Sequence, residues 1–63
     1  MNTNKFDILK VKFTDDTEVE YRNGEIAFVE DVMSIWGDIY DSAVTSPVHH
    51  TYKREDYEKV EVF

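Results

Sequence analysis

Sixty-three residues without a single cysteine cannot form a disulfide-stapled secreted scaffold, the commonest way of stabilising so short a chain. No apolar run approaches the roughly 18 residues of a membrane-spanning helix, and 41% hydrophobic residues with nine aromatics are too many for a disordered chain. A formal net charge of −7 argues against direct binding to DNA or RNA, which depends on cationic groups displacing counterions from phosphates.

The expectation is therefore one compact domain over residues 1–63, near the size at which only about 60% of the unfolded chain's surface is buried. The N-terminus MNTNKFDILK lacks the long apolar segment of a signal peptide, so a cytoplasmic protein is expected. Homodimerisation would add burial to so small a core.

In KFDILKVKF the residues Leu9, Val11 and Phe13 alternate with Lys10 and Lys12, the period of a half-buried strand. Phe6 and Ile8 fall on the opposite phase, which predicts a bulge or two-sided burial near Ile8. TDDT supplies a polar turn, and TEVEYR repeats the alternation with Val19 and Tyr21 inward and Glu18 and Glu20 outward. Those two carboxylates are expected about 6.6 to 6.8 Å apart along one side of the strand.

Asn23-Gly24 follows, and both residues tolerate the positive φ of a two-residue type I′ turn. A hairpin closed there sets Arg22 against Glu25, Tyr21 against Ile26, and Val19 against Phe28. Each such pair is worth roughly 0.2 to 1 kcal/mol.

FVEDVMSIWGDIYD carries two signals. Ile26, Val29, Met33, Trp36 and Tyr40 repeat at spacings of three and four, with Glu30, Asp31, Ser34, Asp38 and Asp41 forming a polar stripe at the same period. This predicts an amphipathic helix near residues 30–41, with Glu30 and Asp31 in its first turn, where carboxylates suit the helix dipole. Gly37 in the interior and the abundance of Val, Ile, Trp and Tyr favour a strand instead.

SAVTSP reads as an uncharged loop closed by Pro47, VHHTYK as a strand, REDYEK as a turn, and KVEVF as a final strand with Val60 and Val62 inward. The expected fold is α+β, a small antiparallel sheet of N-terminal hairpins and C-terminal strands carrying one helix. A small all-β barrel is the alternative.

Residues 14–48 carry nine carboxylates against Arg22 alone, whereas residues 1–13 carry three lysines against Asp7. The acidity belongs to the middle of the chain, and a protein partner with a basic surface is its natural complement. Little in the sequence suggests catalysis. His49 and His50 are neighbours whose side chains point to opposite faces of a strand, so they cannot readily share a metal ion. Asp15-Asp16 lacks the further ligands of a calcium loop, no serine sits in a recognisable nucleophile elbow, and two glycines cannot build a phosphate-cradling loop. No enzyme, cofactor or metal is expected.

The residues expected to meet a partner are Asp15, Asp16, Glu18, Glu20, Glu30, Asp31, Asp38 and Asp41, with Trp36 and Tyr40 as an aromatic pair able to anchor an interface. Rows of fixed carboxylates can stand in for phosphates before a groove built for nucleic acid. In size, acidity and lack of catalytic equipment the chain resembles the small inhibitors that bacteriophages make against host nucleases, polymerases or defence complexes. That likeness is one of composition and includes no shared motif. It implies a non-catalytic inhibitor of a nucleic-acid-binding protein, and the alternative is an adaptor or assembly subunit that binds through an apolar surface or a sheet edge.

Overall fold

A computed structural model describes residues 3–41 and 44–63, and over these the chain is built of strands. They are β1 (Asn4–Phe13), β2 (Glu18–Val29), β3 (Val32–Asp41), β4 (Val44–Lys53) and β5 (Tyr57–Val62), with one 3₁₀ turn, Arg54–Asp56, between the last two. All pairings are antiparallel, in the order β4-β3-β2-β1-β5, so β5 returns to the edge opposite β4. No described helix is long and apolar enough to cross a membrane.

The expected helix over 30–41 is not there. Glu30 and Asp31 are the two turn residues of a hairpin in which Val29 faces Val32, and the remainder of the segment is β3. The three-and-four spacing of its apolar residues coincides with a second pattern of period two, Met33 and Ile35, and both of these side chains are fully buried. Packing against a sheet on either side decided between the patterns, in agreement with the β-branched and aromatic composition. The all-β alternative is the better description.

Asn23-Gly24 is not a turn either. It lies inside β2, and the first hairpin closes at Thr14–Thr17, where Lys12 faces Glu18 and the Phe13 amide donates to the Thr17 carbonyl at 2.8 Å. Tyr21 consequently faces Leu9 and Val19 faces Val11, in place of the expected Ile26 and Phe28. Asn23 does adopt positive φ, at 54°. That conformation serves a one-residue shift of the β2–β3 register between Arg22 and Glu25, a bulge that bends the strand.

The bulge exchanges which positions of β2 face inward, from Val19 and Tyr21 before it to Ile26 after it. β1 changes phase beside it, from Phe6 to Leu9 and Val11, while its own pairing with β2 stays in register. The opposite phases of Phe6 and Leu9 in the sequence report this bend: the bulge lies in β2, beside the Arg22 that Ile8 faces, and half-buried Ile8 next to fully buried Leu9 is the expected two-sided burial.

The bend also fixes the two glycines. A Cβ on Gly24 would run into the Trp36 carbonyl oxygen and lie 2.7 Å from the Gly37 Cα and 2.8 Å from Phe6 Cζ. Close backbone approach, and not positive φ, is what requires glycine there.

The sheet curls until residues of non-adjacent strands meet. Phe13 of β1 and Tyr52 of β4 bring their rings to 5.0 Å, although β2 and β3 separate these strands in the sheet. Enclosed between them are Leu9, Val11, Tyr21, Met33 and Ile35, all fully buried, with Phe6, Ile26 and Tyr57 beside them. Burying each large apolar side chain contributes about 1.5 to 3 kcal/mol.

Tyr21 takes a polar group into this core. Its hydroxyl lies 2.8 Å from His50 Nδ1 and 2.9 Å from the Tyr52 hydroxyl, tying β2 to β4 across the interior. Burial, reinforced by the Tyr52 hydroxyl, raises the pKa of Tyr21 far above the usual phenol range. Val60 is half-buried as expected, but Val62, expected inward, is exposed at the end of β5. Tyr57, expected in a turn, begins that strand and is buried. Pro47 sits in β4, an edge strand, the position in a sheet that best tolerates proline. Ser42 and Ala43 of the expected loop lie outside the described residues.

Candidate functional site

The expected acidic residues divide among three places. Glu18 and Glu20 point outward from β2, as their alternation with Val19 and Tyr21 requires. They do not form a cation-free row. Lys12 stands across from Glu18 and Lys10 across from Glu20, and Arg22 Nε donates to Glu20 Oε2 at 2.8 Å. On the far side of β1, Lys10 also faces Glu61. The basic N-terminal segment and the acidic middle, separate in sequence, are interleaved by strand pairing.

Asp15, Asp16, Glu30 and Asp31 lie in two hairpin turns that the 3₁₀ turn connects. The β1–β2 turn holds the first pair and the β2–β3 turn the second, and the 3₁₀ turn reaches both. The Thr14 amide donates to the Asp56 carbonyl at 3.3 Å, and the Arg54 amide donates to the Asp31 carbonyl at 2.9 Å. Glu55 and Asp56 thereby join the rim, two carboxylates that reading residues 54–59 as a simple turn passed over.

Local chemistry holds these groups in place. Asp15 Oδ1 accepts from the Thr17 hydroxyl at 2.6 Å and the Thr17 amide at 3.1 Å. Those two bonds, the hydroxyl's foremost, lower its pKa below the usual carboxylate value. Asp56 Oδ2 accepts from the Lys53 amide at 3.1 Å. Asp16 has φ of 70° and lies 3.9 Å from Lys12 Nζ, while Glu30 has φ of 56°. Asp enters this left-handed region more readily than most residues, but for Glu it costs about 1 to 2 kcal/mol. Arg54, the guanidinium on the rim, is engaged with Tyr57: its centre lies 5.0 Å from the ring centroid, and Nη1 donates to the Tyr57 carbonyl at 2.8 Å. Phe28 and Val29, next to the β2–β3 turn, are 56% and 49% exposed.

Trp36 and Asp38 are elsewhere, on the outer face of the sheet. Pairing places Lys5, Glu25, Trp36 and His49 in one row across four strands, and Ile8, Arg22, Asp38 and Pro47 in another. The Trp36 and His49 rings stack with centroids 4.5 Å apart and planes 9° from parallel. An open groove of about 750 Å³ crosses the sheet here, over Gly24 and Gly37 and beside Trp36, Glu25, Asp38 and Asp7.

The adjacent histidines do part to opposite faces, His49 to Trp36 outside and His50 to Tyr21 inside. Tyr40 and Asp41 pair through their backbones with Thr45 and Val44, and their side chains lie outside the described part of the structure. Among the described residues, no group of three His, Cys, Asp or Glu side chains is placed to hold a metal ion.

The chain was compared with protein-family models, curated proteins and solved structures, and none matches it.

Proposed function

We propose that the chain is a non-catalytic binding protein that covers the cationic, nucleic-acid-holding surface of a partner protein and so inhibits it. The contact surface in this reading is the acidic rim: Asp15, Asp16, Glu30, Asp31, Glu55 and Asp56. The observation that carries the proposal is the pair of backbone hydrogen bonds by which the 3₁₀ turn joins two separate hairpin turns, each of the three turns bearing two carboxylates. Preorganised anions at fixed spacing attract a cationic surface and speed encounter with it.

The turn chemistry supports the reading. A two-residue turn with positive φ at its first position is best served by glycine, yet this position holds Glu30. A charged side chain kept where the backbone disfavours it is what a surface selected for binding would retain. Phe28 and Val29, exposed beside the same turn, supply apolar area at the edge of the charged contact.

The test is capture from a cell lysate with two baits, the native protein and an Asp15→Asn/Asp16→Asn/Glu30→Gln/Asp31→Asn variant. These replacements remove charge while keeping shape and the Asp15 acceptor. The native bait should retain basic nucleic-acid-binding proteins that added DNA or RNA displaces. Identical retention by both baits, or indifference to nucleic acid, would sink the proposal.

A further inference from the structure

The groove across the outer face shares no residue with the rim, and its chemistry is more specific. We infer that it is a second binding site, which takes an arginine side chain from an extended basic peptide. In this arrangement the guanidinium packs on the indole of Trp36 and pairs with Glu25 and Asp38.

The groove is lined from four strands and runs between the outward row of Glu25 and Trp36 and the outward row of Asp38 and Pro47, with the backbone of Gly24 and Gly37 between them. Phe63, 60% exposed, borders it near the β5 edge and Pro47 borders it on β4, so it is open along a line that crosses the strands. A volume of about 750 Å³ exceeds one side chain and admits a short peptide segment.

Trp36 contributes ring surface. His49 covers one face of the indole but does not line the groove, which leaves Trp36 to present its remaining surface there. An aromatic face of this kind accepts a nucleic-acid base or a cation with equal geometric ease. Charge decides between them. Asp7, Glu25 and Asp38 line the groove with Lys5, and although Lys5 faces Glu25 and Arg22 faces Asp38 in the ladder, Arg22 is turned to Glu20 and does not line the groove. Among the described residues no cation lies within 4.0 Å of any of these three carboxylates, since the ion pairs formed are Lys12–Asp16, Arg22–Glu20 and Lys59–Glu61. A phosphate would be repelled and a cation held. Arginine is favoured over lysine because its planar guanidinium stacks on an aromatic face while its N–H groups pair with carboxylates at the edge, and an ammonium cannot do both.

Glu25 and Trp36 are direct cross-strand partners, and Asp38 lies two residues from Trp36 on the same side of β3. The aromatic surface and two acceptors are thus set by the sheet ladder and not by loops. The inference stands whether or not the rim engages a partner.

Trp36 is the only tryptophan, so its fluorescence reports the groove directly. The test titrates a blocked Gly-Arg-Gly-Arg-Gly peptide into the native protein at low salt, with Lys and Glu versions of the peptide as controls. The arginine peptide should change Trp36 emission saturably, bind at least about threefold more tightly than the lysine peptide, and leave the glutamate peptide inert. Glu25→Gln/Asp38→Asn should weaken binding about tenfold, whereas Glu58→Gln/Glu61→Gln, on β5 and outside both groove and rim, should leave it unchanged. The inference is overturned by an absence of saturable change at millimolar peptide, by equal affinity for the lysine peptide, or by equal weakening in the β5 variant. The peptide comparison uses the native protein alone and stays decisive even if the groove variant unfolds.

Discussion

Glu18 stands directly across from Lys12 in the β1–β2 ladder, and Lys12 in turn faces Lys59 of β5. This row of one anion and two cations explains why the outward carboxylates of β2 are not a free acidic surface. Opposite charges facing each other across a ladder stabilise it, and like charges destabilise it.

Glu18→Lys should therefore lower stability by about 0.2 to 1 kcal/mol, because it sets three cations side by side. Adding Lys12→Glu should recover the loss, since the new carboxylate then lies between two cations. Thermal unfolding of the single and double variants checks this, and a double variant less stable than the single would contradict the register.

The two glycines are unequal. A Cβ at Gly24 meets backbone at Trp36 and Gly37, whereas one at Gly37 lies 3.2 Å from the Arg22 carbonyl oxygen and 3.3 Å from Phe6 Cζ. Gly24→Ala should cost at least the ~3 kcal/mol at the upper end of ordinary overpacking, and Gly37→Ala nearer ~1 kcal/mol. Denaturant titration would show the order, and a reversal would misplace the bulge.

Tyr21 makes the fold sensitive to alkali. Its pKa is raised in the folded state, so its contribution is complete below the ordinary phenol value near 10 and is lost progressively as pH rises above that value. Ultraviolet titration should show a tyrosine that ionises only as the protein unfolds. Tyr21→Phe should abolish that behaviour and cost about 1 kcal/mol in neutral solution, at the lower end for a lost buried hydrogen bond. His50 Nδ1 and the Tyr52 hydroxyl already lie 3.3 Å apart, which softens the loss.

The far-ultraviolet circular dichroism spectrum should contain no α-helical component. A helical contribution of about one-fifth, as a helix over residues 30–41 would give, is the contrary result.

The sequence announced some of this structure and concealed the rest. The alternations of Leu9, Val11 and Phe13, and of Val19 and Tyr21, were legible because each strand has one buried and one solvated face. Residues 30–41 misled because Trp36 extends the apolar series onto the outer phase of β3, where it stacks on His49. Asn23-Gly24 misled because positive φ and a missing Cβ serve a bulge as well as a turn. Of the residues proposed for binding, Asp15 and Asp16 were readable as turn chemistry, but the contact of their turn with those of Asp31 and Asp56 depends on long-range contacts that no local pattern encodes. The same holds for Glu18 and Glu20, whose cationic neighbours come from the preceding strand.

The most direct test of the rim is the affinity of a purified, captured partner for the native protein and for Asp15→Asn/Asp16→Asn/Glu30→Gln/Asp31→Asn, measured at ~50 mM and ~0.5 M salt. Screening shortens electrostatic reach from about 14 Å to about 4 Å over that range. The account predicts at least tenfold weaker binding by the variant at low salt and convergence of the two proteins at high salt. Equal affinities at low salt, or native binding that does not change with salt, would contradict it.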